Sequence, residues 1–73
     1  MLTPDRLRHV VSLAEHGNFR RAAASLQISQ PALTKNIQAL EARLGVQLFD
    51  RQPGGVVLTE FGRLVVDHTR DML

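Results

Sequence analysis

An alanine-rich helical pattern covers residues 19–26, and a second helical pattern follows it closely over residues 30–44. Small alanine side chains allow a neighbouring helix to pack closely against the first of these helices. Residues 27–28 leave room only for a tight turn. Ser29 is a favoured N-cap, and Pro31 is tolerated in a first helical turn because the amide there has no intrahelical partner. The segment therefore predicts two helices packed around a tight turn.

The second of these helices has one apolar and one polar face. Apolar residues at helical spacing form a buried stripe of Leu33, Ile37, Leu40 and Leu44. The opposite side presents an outward row of Pro31, Thr34, Lys35, Gln38 and Ala42. Gln30 lies at the border, in the first turn, where its side chain can project beyond the helix end. No Asp or Glu occurs between Glu15 and Glu41, so this surface can approach phosphates without like-charge repulsion.

The flanking segments predict a further helix and a short β-hairpin. Thr3 begins a first helix and Gly17 ends it, since these are favoured cap residues. Gly45 ends the third helix, and the period of the pattern then changes to that of strands. Residues 53–55 are Pro-Gly-Gly, which is typical of a hairpin tip. The predicted fold is mainly α with a small β-hairpin, a winged helix-turn-helix followed by one more helix.

The last predicted helix begins after Thr59 and has an unusually wide apolar face. Its apolar arc covers roughly 200°, whereas a helix that packs only on its own core needs about 100°. The positions on this face are Phe61, Leu64, Val65, Val66, His68, Met72 and Leu73. We expect Val66 and Leu73 to be the surplus, and the face to pair with the same helix of a second copy. The alternative is that these two residues are scattered exposed apolar side chains.

Composition excludes several classes of function. The absence of cysteine excludes disulfides and thiolate metal sites, and His9, His16 and His68 lack the spacing of a metal site. No nucleophile–base arrangement, glycine-rich phosphate loop or carboxylate pair is present in the pattern, so we expect neither an enzyme nor a cofactor. The N-terminus has no signal pattern, and no apolar run approaches the ~20 residues of a membrane span. A cytoplasmic location without membrane association is therefore expected.

The ordered set of these positions resembles the N-terminal domain of LysR-type transcriptional regulators over essentially the whole chain. The resemblance rests on Phe19, Ala22, Ala23, Leu26, Ser29, Gln30, Pro31, Ala32, Leu33, Thr34, Ile37, Leu40, Glu41, Leu44, Gly45, Leu48, Phe49, Arg51, Leu58, Thr59 and Gly62. It implies a winged helix-turn-helix DNA-binding domain over residues 1–58 and the start of a linker and dimerisation helix over residues 59–73. It also implies a homodimer, with a tetramer as an option for the full-length protein. A small-molecule effector would bind a separate C-terminal domain that these residues lack.

Three departures from the family pattern are visible. Asn18 and Thr34 stand where the family commonly has Ser, and each keeps a side chain that can cap a helix or form a hydrogen bond. Residues 52–55 lack the basic residue often found near the wing tip, which shifts phosphate binding toward Arg20, Arg21 and Lys35.

The resemblance implies that the third helix enters the major groove of double-stranded DNA and that the wing approaches the flanking backbone or minor groove. On this chain the recognition-helix contacts would be Gln30, Pro31, Thr34, Lys35 and Gln38. Arg51 would be the wing contact.

Chemistry assigns roles to several of these side chains. The amide of Gln38 can pair with adenine, and the amide of Gln30 can do the same or bind a phosphate. Lys35 is expected at a phosphate because its ammonium is a mobile point charge. At least one of Arg20 and Arg21, at the start of the second helix, is also expected to bind the backbone.

Three further residues have structural alternatives. Ser29 is first a helix cap, and a DNA contact would be additional. Arg51 is expected at the DNA backbone, with an ion pair to Asp50 as the alternative. Glu41 is expected to form an ion pair with an arginine on the helix surface.

A winged helix can also serve as a protein-interaction module. Such a module would expose apolar anchors on the third helix, whereas the exposed row here is polar and basic. The sequence therefore favours DNA binding.

Overall fold

The computed structural model describes residues 3–72, which form four helices and one two-stranded antiparallel sheet. In chain order the elements are α1 (Pro4–His16), α2 (Phe19–Leu26), α3 (Gln30–Leu44), β1 (Phe49–Gln52), β2 (Gly55–Leu58) and α4 (Glu60–Met72). None of the helices in this range is long and apolar enough to cross a membrane. The order and type of the elements confirm the predicted winged helix-turn-helix.

The predicted helix caps form as expected. The side chains of Thr3, Asn18 and Ser29 each accept a hydrogen bond from the backbone amide three residues later, at 3.2, 2.7 and 3.1 Å. Gly17 and Gly45 follow α1 and α3 in the left-handed conformation, with φ of 74° and 72°. Capping side chains therefore set the beginning of α1 and α3, and the backbone freedom of glycine sets their end.

The core lies between α1, α2, α3, the hairpin and one face of α4. Its buried members are Val10, Leu13, Ala22, Ala23, Leu33, Ile37, Leu40, Leu48, Phe49, Val56 and Val66. Leu44, predicted to complete the buried stripe of α3, is 40% exposed. It is the last residue of α3, and the chain turns away at Gly45 before another element covers it.

The hairpin has a two-residue turn and a fixed register. Gly54 in the turn has φ of 90°, a conformation that favours glycine. Phe49 pairs with Leu58 and Arg51 with Val56, so these four residues lie on the face that meets the helices. The predicted hairpin is thereby confirmed.

The prediction for Val66 in α4 was wrong. Val66, expected to be surplus and to belong to a dimer interface, is 2% exposed and belongs to the core. Gly62, Val66 and Thr69 recur at helical spacing and form the buried face of α4, which packs on α1 and β2. Thr69 is tolerated there because its hydroxyl donates to the Val65 carbonyl oxygen at 2.8 Å.

The cause of this difference is the close approach of α4 to the chain before the hairpin. A Cβ at Gly62 would overlap the carbonyl oxygen of Leu48, so only glycine permits this packing. Thr59 fixes the start of α4 at the same place, since its amide donates to the Leu48 oxygen at 3.0 Å. Its hydroxyl also accepts from the Gly62 amide at 3.0 Å, which confirms Thr59 as the cap.

Candidate nucleic-acid interface

The outward row of α3 is accessible to a macromolecular partner. Pro31, Lys35 and Gln38 are exposed, and Thr34 is half-buried. Leu33, Ile37 and Leu40 are buried on the opposite side of the helix. The structure therefore presents the polar side chains that the sequence analysis selected, on the face that it predicted.

The turn between α2 and α3, which sets the orientation of the polar face of α3, contains no glycine. Gln27 follows α2 in the left-handed conformation, with φ of 58° and ψ of 41°. Its amide donates back to the end of α2, and the amide of Ile28 donates to the Ala23 carbonyl oxygen at 3.1 Å. Ile28 is half-buried and packs on the core, so the turn is anchored on its inner side.

An open depression of about 460 Å³ lies where α2, α3 and the hairpin meet. Its lining includes Arg20 from the start of α2, Gln30 from the start of α3 and Arg51 from β1. No carboxylate is among the lining residues, so the depression carries net positive charge. Such a surface suits a phosphate-bearing polymer.

A second depression, of about 330 Å³, lies between α3 and the hairpin. Gln38 and Arg51 are among its lining residues. Arg51 therefore lines both depressions, the one that Gln30 lines and the one that Gln38 lines.

The predicted DNA-binding residues divide into two groups by their relation to these depressions. Four of them line the depressions: Arg20, Gln30, Gln38 and Arg51. The remaining five line neither depression. The others are Arg21, Ser29, Pro31, Thr34 and Lys35, and all are exposed except the half-buried Thr34.

The guanidinium of Arg51 contacts an aromatic ring that the sequence analysis did not assign to the site. Its Cζ atom lies 5.0 Å from the centroid of Phe19, within the range of a cation–π interaction. Within residues 3–72 no carboxylate lies at ion-pair distance from Arg51, so the alternative pairing with Asp50 does not form. The strand alternation from buried Phe49 to Arg51 was the available signal that this side chain turns toward the helices.

The expected ion pair of Glu41 does not form among residues 3–72. Instead of an ion pair with a surface arginine, its carboxylate accepts from the amides of Leu48 and Phe49, at 2.6 and 3.3 Å. Leu48 and Phe49 are buried, so these bonds are partly shielded from water. Glu41 of α3 therefore holds the chain at the start of β1.

The second strand is held just as closely to the helix-turn-helix. The amide of Val56 donates to the Gly17 carbonyl oxygen at 2.8 Å. A Cβ at Gly55 would overlap that same oxygen, so a side chain there would separate the wing from the junction of α1 and α2. The wing is consequently fixed relative to α3 from both of its strands.

The outer side of α4 forms a second exposed surface, the α4 apolar face, which consists of Phe61, Leu64, Val65 and His68. Phe61 and Leu64 are 50% and 62% exposed, His68 is exposed and Val65 is half-buried. Of the other residues predicted for this surface, Val66 is buried in the core. The Met72 side chain and Leu73 lie outside the described part of the structure.

Comparison with known proteins gives one consistent result. A family model described as bacterial regulatory helix-turn-helix protein, lysR family, matches residues 4–63. The chain is 57% identical over 68 residues to the SDS degradation transcriptional activation protein of a Pseudomonas species, covering 93% of this chain and 22% of that protein. It is 48% identical over 67 residues to the DNA-binding transcriptional dual regulator OxyR of Escherichia coli, covering 92% and 22%.

Solved structures share the fold as well. A crystal structure of the CbnR DNA-binding domain with DNA has a TM-score of 0.90 at 38% identity, over 97% of this chain and 82% of that chain. A complex of the BenM DNA-binding domain with catB site 1 DNA has a TM-score of 0.91 at 34% identity, over 97% and 79%. The present chain spans less than a third of the curated relatives that it matches.

Proposed function

This chain belongs to the lysR family of bacterial regulatory helix-turn-helix proteins and forms its DNA-binding domain, and from that premise we propose how it binds DNA. α3 enters the major groove of double-stranded DNA, and its outward row contacts the bases and the adjoining phosphates. Gln38 and Gln30 contact base edges or, for Gln30, a phosphate. The backbone is bound by Arg20, Arg21, Lys35 and Arg51, with Ser29, Pro31 and Thr34 lying against the groove.

The main support for this proposal is the position of the cationic depression beside α3. Gln30, in the first turn of α3, lines the acid-free depression between α2, α3 and the wing together with Arg20 and Arg51, and the polar row that follows it on α3 is exposed except for the half-buried Thr34. A base-reading helix beside a cationic surface is the arrangement that sequence-specific binding requires, because phosphate contacts fix the register in which bases are read.

The experiment that tests the proposal is selection of duplexes from a randomised library by this chain, followed by sequencing. We expect enrichment of a defined motif and affinity that falls steeply as salt is raised. Equal recovery of all sequences, or no binding even at low salt, would refute sequence-specific recognition.

The proposal extends to self-association through the α4 apolar face. Phe61, Leu64, Val65 and His68 follow the i, i+3, i+4, i+7 spacing of a helix surface that pairs with another helix. The remaining exposed residues of α4 include Glu60, Asp67 and Arg70, so the apolar side chains are segregated on one side. We therefore propose a homodimer in which two copies of α4 pack together and two copies of α3 read DNA.

Substitution of Leu64 by glutamate is expected to weaken self-association at least about tenfold, because it replaces an apolar contact of 1.5–3 kcal/mol with a charge. Sedimentation equilibrium of the chain measures this change. Asp67→Ala, on the polar side of α4, is the matched control and should leave the dissociation constant unchanged. Equal association of the Leu64→Glu variant and the parent chain would remove α4 from the dimer interface.

Substitution of Gln38 by alanine is expected to relax sequence preference at a single base pair. Loss of a bidentate amide–adenine contact should reduce discrimination at that position about 10- to 100-fold. Lys35→Ala is the comparison variant: it should lower affinity for every duplex alike and reduce the salt slope by about 1. The measurement is the set of DNA motifs that each variant selects from the randomised library. A uniform loss of affinity for all sequences in Gln38→Ala would contradict the role of Gln38 in base reading.

For the whole regulator we propose control of transcription in response to a small molecule that binds outside residues 1–73. The chain spans only 22% of two of the relatives quoted above, which leaves room in them for further domains. We also propose a binding rather than a catalytic role for the chain, and a cytoplasmic location, where bacterial DNA lies. A tetramer of the full-length protein is compatible with this scheme.

A further inference from the structure

Three observations define where the Arg51 side chain lies. Strand alternation and the pairing of Arg51 with Val56 place its side chain on the face of the hairpin that meets the helices. The guanidinium is then 5.0 Å from the centroid of the Phe19 ring. Both residues line the two depressions that flank the contact, so the charge lies between the reading helix and the wing.

The ring that contacts this charge is itself packed against the core. Phe19 is the first residue of α2, directly after the Asn18 cap, whose side chain accepts from the Arg21 amide at 2.7 Å. The Phe19 side chain is half-buried and packs against the core. Its exposed part therefore offers an aromatic surface in the lining of the depression that Arg20 and Gln30 also line.

A cation–π contact engages the charge of the guanidinium and leaves its N–H donors available. Arginine has five such donors in a fork that matches phosphate oxygens, and it stacks on aromatic rings better than lysine does. An arginine that is already held in place also loses less rotamer freedom when it binds.

We propose that Phe19 is a positioning residue for DNA binding, whose ring holds the Arg51 guanidinium in the conformation that contacts a backbone phosphate between the recognition helix and the wing. The inference rests on the proposed function and adds a residue to it. Phe19 acts through Arg51 and does not itself contact a base. A lysine at position 51 would lack the planar fork that can stack on the ring while its N–H donors bind two phosphate oxygens.

The test is a double-mutant cycle with Phe19→Leu and Arg51→Ala, using a duplex selected by the parent chain. Phe19→Leu keeps an apolar side chain for the core and removes the ring. It should weaken binding about two- to fivefold when Arg51 is present, the range of an exposed cation–π contact, and should have no effect in the Arg51→Ala background. The conservative variant Phe19→Tyr should bind within about twofold of the parent chain.

Two further measurements separate positioning from mere stability. Leu26→Val alters another half-buried apolar residue of α2 and should leave the affinity unchanged, with thermal unfolding confirming that every variant is folded at the assay temperature. Neutralising single phosphates as methylphosphonates should identify one phosphate that matters to the parent chain, less to Phe19→Leu and not at all to Arg51→Ala.

These experiments distinguish failure of the positioning role of Phe19 from failure of DNA binding by the whole chain. Equal losses for Phe19→Leu with and without Arg51, or an equal loss for Leu26→Val, would overturn the positioning role while leaving DNA binding intact. Failure of the parent chain to select any duplex would overturn the proposed function and this inference with it. The inference is supported if the effects of Phe19→Leu and Arg51→Ala on affinity are coupled, and if both variants become less sensitive to neutralisation of the same phosphate.

Discussion

Replacing Gly62 with alanine is expected to lower the free energy of unfolding by about 3 kcal/mol, the upper part of the range for overpacking. At an ordinary position inside a helix the same change would stabilise the protein by about 1 kcal/mol. The sign reverses here because the added Cβ would overlap the carbonyl oxygen of Leu48 and lie 2.8 Å from a methyl carbon of Leu58.

The backbone at Leu48 cannot easily move to relieve this overlap. Its carbonyl oxygen accepts from the Thr59 amide at 3.0 Å, and the neighbouring carbonyl of Gln47 accepts from the Thr59 hydroxyl at 2.6 Å. Displacing α4 would break both bonds and uncover Val66. Equilibrium unfolding in urea measures the effect, with the exposed Arg63→Ala as the control, expected within about 0.5 kcal/mol of the parent chain. A Gly62→Ala variant as stable as the parent would show that α4 does not pack this closely.

The second large effect is expected at Glu41. Its carboxylate accepts from two buried amides, and hydrogen bonds to a charged group contribute about 1.5–3 kcal/mol. Glu41→Ala should therefore lower the free energy of unfolding by about 3 kcal/mol. Glu41→Gln keeps an acceptor oxygen without the charge, and about half that loss is expected.

Amide hydrogen exchange shows which part of the structure the Glu41→Ala substitution destabilises. The amides of Leu48 and Phe49 should lose protection in Glu41→Ala, while the amides in the middle of α1 keep it under conditions of local opening. Arg43→Ala, two residues further along α3 and exposed, serves as the control for a charge change on that helix. Unchanged protection at Leu48 and Phe49 would mean that the carboxylate does not hold the start of β1.

The parts of this fold that could be predicted from sequence depend on local chemistry. Thr3, Asn18 and Ser29 cap helices with side chains that reach only three residues along the chain, and Gly17 and Gly45 end helices through their own backbone freedom. The polar face of α3 follows from a period of 3.6 residues. Each of these needs no knowledge of which elements meet in space.

What could not be predicted depends on tertiary contact. The apolar pattern of α4 contains more positions than one face can hold, and only the approach of Gly62 to Leu48 selects Val66 as the buried one. Glu41 was expected to find an arginine, because a sequence shows charges but not the unpaired amides that the hairpin brings to it. The contact between Phe19 and Arg51 could not be predicted for the same reason, since the two residues are 32 positions apart in sequence.

The attachment of the wing to both Glu41 and Gly17 has a thermodynamic consequence. A hairpin that became ordered only on meeting DNA would subtract the conformational entropy of its residues from the binding free energy, about 1–2 kcal/mol for each backbone unit that is fixed. Here that entropy is lost during folding, before any ligand arrives. Substitutions that loosen the two attachments therefore transfer the entropic cost from the folding equilibrium to the binding equilibrium. Folding stability and DNA affinity are thereby linked through residues that touch no nucleotide.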